Sequence, residues 1–317
     1  MSDTRNAHLT HHVQHVHRAD WAAESLWQQL LPLLPGLSVE VVARCDSTNT
    51  RLLERARLAG STRQPDRGNA ALPDGQPVER GRRSGDAEPA LLVAEQQTSG
   101  RGRLGRDWQA AAGASLTFSL ALPLAPSNWQ GLSLAVGLAL AEALEPLPAG
   151  RAPRLQLKWP NDLWLCDAPG RGRKLGGVLI ETVGVGMNDS AQRMTVVGVG
   201  LNVLPQTLQD LSSGYACMQE LQPDISAPAL LHRVAAPLVR ALLNFQTQGF
   251  APLAAAYEQR DLLRGQTVST TLAELPLGVA EGVDDDGALR VRAGTLLHRV
   301  SSGEVSIRLQ PGEGPPC

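Results

Sequence analysis

One stretch of the sequence concentrates groups that bind anions. Residues 95–108 read EQQTSGRGRLGRDW, in which Arg101, Arg103 and Arg106 alternate with three glycines. Glycine allows the backbone to approach a ligand closely, and arginine is a permanent cation whose planar donors match carboxylate and phosphate. The pattern therefore predicts a loop that closes over an anionic ligand.

The same loop contains the spacing G-x-G-x-x-G at Gly100, Gly102 and Gly105. In dinucleotide-binding proteins this motif opens a helix, and an acidic residue follows about 20 positions later. Here the loop leads into an apolar strand, and residues 120–130 contain neither Asp nor Glu. We therefore reject a dinucleotide fingerprint, and the sequence contains no Walker A motif either.

A second group of candidate residues is the segment KWPND, which begins at Lys158. A lysine at the end of a strand can neutralise a phosphate, and Asp162 can bind a metal, order that lysine or receive a proton. The sequence Pro-Asn-Asp also forms ordinary turns. Taken alone, the segment favours neither a functional site nor a simple turn.

Two further segments combine glycine with polar residues inside apolar strands. The segment KLGGVLIE begins at Lys174, and its paired glycines indicate close approach of the backbone to a ligand. The segment GVGLN alternates Gly198 and Gly200 before Asn202. Because side chains in a strand alternate between faces, the two glycines predict space for a flat ligand on one face.

Composition limits the class of protein. The chain has 317 residues, 43% of them hydrophobic, and a net charge of -2, which fits one large or two ordinary folded domains and gives no global basic surface for nucleic acid or anionic membranes. The four cysteines form no Cys-x-x-Cys pair, which disfavours a zinc or disulfide framework. The N-terminus lacks the apolar core of a signal peptide, and the longest apolar stretch, residues 132–144, is too short to span a bilayer. We expect a soluble, cytoplasmic protein.

Hydrophobic periodicity predicts an α+β protein. The predicted helices are 20–34, 48–58, 129–144, 228–246 and 251–263. The predicted strands before residue 264 are 39–43, 90–94, 115–122, 155–159, 163–165, 175–183 and 195–203. Four short strands follow at 266–271, 277–283, 288–291 and 304–309, with a hairpin turn signal at Asp284 to Gly287.

These elements divide the chain into a domain over 20–263 and a small β-barrel over 264–311. Residues 1–19 contain five of the seven histidines, and we interpret them as a solvated tail in preference to a metal site. Residues 61–89 are rich in Pro, Gly and charge without an apolar period, which predicts a mobile insertion. Residues 312–317 form a second tail.

In their order along the chain, these motifs resemble the biotin–protein ligases. The resemblance runs from Cys45 to Leu309 and includes Ser47-Thr48-Asn49, the GRGRLGR loop with Trp108, KWPND, KLGGVLIE, GVGLN and the SGEVS segment that begins at Ser302. It implies a class II aminoacyl-tRNA synthetase-like catalytic domain with a mixed, largely antiparallel sheet, followed by an SH3-like C-terminal β-barrel.

The resemblance also implies an ATP-dependent, AMP-forming ligase. Biotin and ATP would give biotinyl-5′-AMP and pyrophosphate, and a lysine of a biotin carboxyl carrier protein would then take the biotin. Such chemistry brings anions together, so it needs Arg, Lys and Mg²⁺. No Ser-His-Asp or Cys-His nucleophile is required.

Carried onto this sequence, the resemblance assigns four groups of residues. The catalytic residues it implies are Lys174, Arg103, Asp162 and Lys158. The implied biotin contacts are Ser47, Thr48, Asn49, Gln97, Arg101, Gly102, Arg103 and Lys174. The implied ATP and adenylate contacts are Arg103, Arg106, Trp108, Asn161, Gly198, Gly200, Asn202 and Tyr215. Asp162 is the implied ligand for Mg²⁺.

Three other functions agree with only part of the sequence pattern. A lipoate–protein ligase would share fold and chemistry, but the GRGRLGR loop favours biotin. A biotin-responsive DNA-binding regulator is disfavoured, because the residues before Ser47 lack three helices and a wing; we therefore expect no DNA partner, no membrane partner, and a monomer or weak homodimer. A NAD-dependent oxidoreductase would rest on the glycine spacing alone.

Overall fold

The computed structural model describes residues 20–61, 88–148, 150–168, 171–184, 192–206, 213–301 and 307–309. The predicted tails 1–19 and 312–317, nearly all of the predicted insertion 61–89, and the SGEVS segment lie outside the described residues. Of the helices in the part described, none is long and apolar enough to cross a membrane.

A seven-stranded sheet forms the centre of the larger domain. Its strands are β1 Ser38–Cys45, β2 Ala90–Gln97, β3 Ser115–Leu124, β4 Leu155–Lys158, β5 Asp162–Ala168, β6 Arg171–Gly184 and β7 Arg193–Asn202. The spatial order is β1-β2-β3-β7-β6-β5-β4. Strands β1 and β2 are parallel, and every other neighbouring pair is antiparallel. The prediction of a mixed, largely antiparallel sheet is confirmed.

Helices cover both faces of this sheet. They are α1 Ala23–Leu30, α2 Thr48–Ser61, α3 Leu132–Leu144, α4 Ala227–Gln248 and α5 Ala254–Glu258. Alternate residues of the central strands enter two separate apolar clusters: Leu91 and Leu120 pack with α1, α3 and α4, whereas Leu92 and Ala121 pack with α2. Helix α3 is apolar on nearly all sides, which is the pattern of a helix buried on all sides.

The central strand β3 shows why the site lies on the α2 face. All but one of its residues are buried, and its sequence alternates Leu and Phe with Ser115, Thr117 and Ser119. Because alternate residues share a face, the three hydroxyl groups form a polar row on the face opposite the main core. Buried hydroxyl groups need hydrogen-bond partners, and α2 supplies two of them.

The C-terminal unit is a second, five-stranded antiparallel sheet. Its strands are β8 Thr267–Thr270, β9 Leu277–Val283, β10 Leu289–Ala293, β11 Leu296–Val300 and β12 Ile307–Leu309, in the order β11-β10-β9-β8-β12. The predicted hairpin turn is present, since Gly287 N donates to Asp284 O at 2.8 Å. Strand β11 was not predicted, because its sequence LLHRV shows no alternation.

The predicted helix 251–263 was wrong over its second half. A 3₁₀ turn at Ala251–Leu253 leads into α5, which ends at Glu258. The chain then runs beside β4, where Leu157 N donates to Arg260 O at 2.7 Å and Leu262 N donates to Leu157 O at 3.1 Å. These hydrogen bonds hold the segment against β4, so the β4 edge of the sheet is covered.

Two consecutive residues of KWPND tie the two sheets together. The Trp159 indole Nε1 donates to Gly287 O at 3.0 Å, and Lys158 Nζ donates to Ile307 O at 2.8 Å. Trp159 is fully buried. Gly287 also lies against Gly131 at the start of α3, where a Cβ on Gly287 would stand 2.7 Å from Gly131 Cα. The smaller sheet therefore packs on the segment that leads into the site.

Replacing Gly287 with alanine tests this close approach. The added Cβ cannot fit against Gly131, and overpacking of this kind costs about 1–3 kcal/mol. Gly294→Ala is the matched control: both glycines have positive φ, 80° and 59°, but nothing lies within 4 Å of a Cβ at Gly294. Urea unfolding should show a larger loss of unfolding free energy for Gly287→Ala. Equal losses would mean that only backbone strain matters.

Asp261 lies in the segment that joins α5 to the smaller sheet. Its Oδ1 accepts a hydrogen bond from Leu263 N at 2.9 Å, whereas its Oδ2 is buried and has no partner among the described residues. Removal from water raises the pKa of this carboxyl to about 6, against the opposing effect of two backbone N–H groups. The ionised form is therefore costly in the folded state.

Asp261→Asn should remove a pH dependence of stability. The pKa is about 6 in the folded protein and about 3.9 in an unfolded chain, so the folded state binds more protons between these values. The wild-type unfolding free energy should therefore fall as pH rises from about 4 to about 6 and then level off. The asparagine variant should lack this decrease, which is on the order of 3 kcal/mol. Parallel stability curves for the two proteins in urea would contradict this assignment.

Candidate active site

A cavity of about 130 Å³ lies on the α2 face of the central sheet. Its floor is formed by β3, β6 and β7. Its walls are formed by the start of α2, the end of β2 and the loop of residues 98–108, which we call the Gly/Arg loop. Nearly all the residues predicted for the site line it: Ser47, Thr48, Asn49, Gln97, Arg101, Gly102, Arg103, Arg106, Trp108, Asn161, Asp162, Lys174, Gly198 and Gly200. The motifs therefore converge in space as their resemblance implied.

A buried polar network fixes one end of the cavity. The Oε1 of Gln97 accepts hydrogen bonds from Thr48 N at 2.7 Å and from Thr48 Oγ1 at 3.1 Å. Ser119 Oγ lies 2.6 Å from Asn49 Oδ1 and 2.7 Å from Thr48 Oγ1. Ser47 accepts from Thr50 N at 3.4 Å as α2 begins. Groups held this way are already oriented for a polar ligand before it binds.

Sequence reasoning missed Ser119. Its side chain is fully buried, and it connects two residues that were predicted. The signal was present in the sequence, because hydroxyl residues alternate with Leu and Phe along β3. A period of two in an otherwise buried strand marks one polar face.

The alternating glycines of β7 accommodate protein side chains. A Cβ on Gly200 would stand 2.5 Å from Cε2 of the Trp108 indole, and a Cβ on Gly198 would overlap the Asn49 amide. The expected space for a flat ligand over these glycines is therefore filled by Trp108 and Asn49 themselves. The glycines still shape the site, because both of these side chains line the cavity.

Trp108 carries a donor that the rest of the described chain does not use. Its Nε1 is buried and makes no hydrogen bond within the described residues. Buried donors without partners are rare in folded proteins and need a specific reason. Since the indole lines the cavity, an acceptor on a bound ligand would satisfy this group.

An ion pair closes the opposite end of the cavity. Lys174 Nζ lies 2.7 Å from Asp162 Oδ1, and both side chains are largely shielded from solvent. The pairing of β5 with β6 explains the contact: Asp162 lies opposite Gly177 and Trp164 lies opposite Lys174, so Leu175 is an extra residue on β6. This bulge puts Lys174 on the face of Asp162, whereas regular pairing would put it on the other face.

Asn161 and Arg103 complete this end of the cavity. Asn161 Nδ2 donates to Val178 O at 2.8 Å, and Arg103 Nη1 approaches Asn161 Oδ1 at 3.4 Å. Burial lowers the pKa of the Arg103 guanidinium, while Asp162 acts in the opposite direction. The guanidinium stays charged, because an arginine side chain remains protonated far above neutral pH.

A second cavity, of about 380 Å³, adjoins the first beyond the Lys174–Asp162 pair. Its lining contains the cations Arg103, Arg106, Lys158, Lys174 and Arg308. Asp162 is the single carboxylate among its described lining residues. This imbalance of charge is suited to an anion with several negative charges. Arg308, which belongs to β12, was not predicted for the site.

Lys158 faces this second cavity. Its Nζ donates to Ile307 O and lies 5.4 Å from the centre of the Trp164 ring. Burial lowers the pKa of the Lys158 ammonium; Asp162 raises it, and Lys174, Arg106 and Arg308 lower it further. The cations of this cavity therefore interact with one another.

The structure does not bring Asn202 or Tyr215 into either cavity. Asn202 Nδ2 donates to Ala216 O at 2.9 Å and to Lys174 O at 3.3 Å. Tyr215 donates its hydroxyl to Leu204 O at 2.6 Å, and removal from water raises its pKa to about 12. Both residues contact the strand that carries Lys174 or the segments beside it, and the role that the resemblance implies for them in contacting the adenylate stays a prediction. The sequence signal, a polar residue beside a glycine strand, cannot distinguish these roles.

Comparison with known proteins gives consistent results. Residues 79–202 match the model of the biotin/lipoate A/B protein ligase family, and residues 265–308 match that of the biotin protein ligase C-terminal domain. The chain is 33% identical over 300 residues to a biotin–[acetyl-CoA-carboxylase] ligase of Mycobacterium tuberculosis, covering 89% of this chain and 90% of that protein. It is 32% identical over 286 residues to the bifunctional ligase/repressor BirA of Escherichia coli, covering 89% and 77%.

Solved structures are also similar over most of the chain. Among them is the biotin protein ligase from Aquifex aeolicus in complex with biotin and ATP, with a TM-score of 0.62 and 25% sequence identity. The match covers 86% of this chain and 99% of that one.

Gly200→Ala tests whether the indole of Trp108 forms a wall of the cavity. The new methyl group must displace the ring, so affinity for biotin, the ligand that the resemblance implies, should fall at least about tenfold, as for a lost packing contact of 1–2 kcal/mol. Gly184→Ala on β6, where nothing lies within 4 Å of a Cβ, is the control. Titration calorimetry should separate the two variants. Unchanged affinity in Gly200→Ala would show that the indole position does not matter.

Proposed function

The chain belongs to the biotin/lipoate protein ligase family, and we propose that it acts as a biotin–protein ligase that makes biotinyl-5′-AMP from biotin and ATP and passes the biotin to a lysine of a carrier protein. The observation that carries this proposal is the junction of two unlike cavities. One has a buried network of hydroxyl and amide groups, and the other is lined by five cations. The Lys174–Asp162 pair lies between them.

The first cavity suits biotin. The ureido group of biotin carries two N–H donors and one carbonyl acceptor, and the Thr48–Gln97–Ser119–Asn49 network offers groups of both kinds. The Trp108 indole and Leu179 supply apolar walls for the fused rings. The carboxylate end of biotin would then point toward Lys174.

The second cavity suits the phosphates of ATP. Attack of the biotin carboxylate on the α-phosphate brings two anions together, and pyrophosphate must leave with additional charge. Arg103, Arg106, Lys158 and Arg308 surround this space, and preorganised cations stabilise such charge in the transition state. Lys174 reaches both cavities, so it can stabilise the carboxylate and the α-phosphate together.

Asp162 can bind a magnesium ion that accompanies ATP. Within the described residues there is no cluster of three or more His, Cys, Asp or Glu, but Mg²⁺ commonly binds one or two carboxylates together with phosphate oxygens and water. A single carboxylate beside a phosphate site fits that requirement. When bound, the ion would neutralise phosphate charge.

The second half-reaction needs a neutral amine at the anhydride carbonyl. The acceptor lysine attacks the carbonyl carbon of biotin, an amide forms, and AMP leaves with the electrons of the broken C–O bond. Asp162 lines both cavities, and it can orient the incoming amine or take up its proton. Arg103, beside Asn161, can hold the adenylate until the amine arrives.

The names of the relatives support a biotin carboxyl carrier protein, such as that of acetyl-CoA carboxylase, as the acceptor. We also propose a cytoplasmic location and an absence of DNA binding. The direct test is to incubate the protein with biotin, Mg-ATP and a carrier domain and to measure intact mass. One biotinyl group should be added. Lipoate in place of biotin should add nothing, and a gel shift should show no DNA binding.

Lys174→Ala separates the two half-reactions. Loss of this cation should slow pyrophosphate release on the order of 100-fold or more. Transfer from preformed biotinyl-5′-AMP should suffer less, because the anhydride is already made. Arg171→Ala on the same strand is the control, since Arg171 is exposed and lines neither cavity. Near-normal pyrophosphate release by Lys174→Ala would refute the assignment.

A further inference from the structure

Glu181 joins three parts of the site without lining the cavity itself. Its Oε2 accepts hydrogen bonds from Asn49 Nδ2 at 3.0 Å and from Arg101 Nη1 at 3.2 Å, and its Oε1 accepts from Arg101 Nη2 at 2.8 Å. Asn49 belongs to α2, Arg101 to the Gly/Arg loop, and Glu181 to β6. One carboxylate therefore connects the loop to the polar network.

The contacts of Arg101 show a structural role beside the biotin contact that the resemblance implies. Its guanidinium donates to Glu181 and to Thr50 Oγ1, the latter at 3.3 Å. The loop is closed on itself as well, because Trp108 N donates to Gly100 O at 2.9 Å. The Arg101–Glu181 pair thus anchors a small closed loop against β6, at the rim of the cavity.

The same carboxylate determines which way the Asn49 amide points. Asn49 Nδ2 donates to Glu181 and to Leu179 O at 3.2 Å, which leaves Oδ1 toward Ser119. Asn49 is buried, so a change that removed the Glu181 acceptor would leave a buried donor short of a partner. The orientation of Asn49 in the cavity then depends on Glu181.

We propose that Glu181 is a positioning residue that couples closure of the Gly/Arg loop to the orientation of Asn49, so that the biotin cavity is fully formed only when the loop is anchored. The proposal rests on the proposed function and specifies one residue of that same site. Glu181 acts through Arg101 and Asn49, and it does not touch the reacting atoms.

The test is the kinetics of adenylate formation by Glu181→Gln, followed by pyrophosphate release. Glutamine keeps an acceptor for Asn49 but loses the charge and one of the two acceptors for Arg101. A charge-assisted, bidentate pair is roughly twice as strong as a neutral contact, so KM for biotin should rise about tenfold. The kcat and the KM for ATP should stay within about twofold, because the ATP side of the site is unchanged.

A matched control is Glu40→Gln. Glu40 accepts two hydrogen bonds from Arg55, one to each carboxylate oxygen, in an exposed pair that lies outside the cavity. Its loss removes the same kind of ion pair from the same domain. The Glu40→Gln variant should keep the wild-type KM for biotin. Equal changes of KM in the two variants would mean that Glu181 acts on stability alone.

An exchange of the two charges tests separately the contact of Glu181 with Arg101 and its contact with Asn49. Arg101→Glu combined with Glu181→Arg restores the ion pair but places a cation beside Asn49 Nδ2. Retention of biotinyl-5′-AMP, measured as its release rate from the enzyme, should recover relative to Arg101→Glu alone. KM for biotin should stay raised. Recovery of both values, or of neither, would overturn the coupling.

The outcomes distinguish this proposal from the proposed function. If the wild-type protein forms no biotinyl-5′-AMP, the function itself fails. If the wild type is active and Glu181→Gln has a normal KM for biotin, only the positioning role fails. Should Glu181→Gln not fold, Arg101→Ala removes the same anchor from the loop side, and its KM for biotin must rise for the proposal to stand.

Discussion

The ion pair between Lys174 and Asp162 is the interaction around which the site is organised. It stands at the junction of the two cavities, where Lys174 Nζ lies 2.7 Å from Asp162 Oδ1. The two segments that carry these residues are held in place by separate parts of the chain. Asp162 follows the segment that docks on the smaller sheet through Lys158 and Trp159. Lys174 lies on β6, and its carbonyl oxygen accepts hydrogen bonds from Asn202 Nδ2 and from the backbone N–H of residue 216. A shift of either support would separate two charges that are largely removed from water, and such a separation is costly.

The charges of the second cavity make the packing of the smaller sheet part of the chemistry. Five cations around one space repel one another, and one carboxylate offsets only part of that repulsion. Arg308 joins them from β12, and the carbonyl of Ile307 beside it accepts the Lys158 ammonium. A polyanion that enters this cavity would meet a lining with more cations than carboxylates, which favours charged ATP over neutral competitors.

The sequence motifs predicted most of the residues that line the first cavity. They could do so because each motif combines residue types that few other sequence patterns place together. Three of the predicted motifs contribute lining residues to the cavity: the Gly/Arg loop, KWPND and KLGG. Contacts that depend on register were not accessible: nothing in KLGGVLIE shows that Leu175 is a bulge, or that its glutamate accepts from Arg101 and Asn49. The position of Asn202 and Tyr215 outside both cavities could not be predicted, because a strand pattern does not show what lies behind a strand. The helix predicted over 251–263 was too long. The apolar periodicity continues past the end of α5 into a segment whose backbone instead forms hydrogen bonds with the edge of β4.

The bulge at Leu175 determines which changes in this region the site can accept. The connection between β5 and β6 lies beyond the bulge, so residues added there extend the hairpin outward and leave the pairing of Asp162 with Gly177 in place. Loss of the bulge at unchanged length is different in kind: Leu175 would pair with Trp164, the ammonium of Lys174 would pass to the opposite face of the sheet, and an apolar side chain would take its position. The tip of the hairpin can therefore lengthen or shorten without disturbing the ion pair, whereas a slip of one residue at the bulge would remove it.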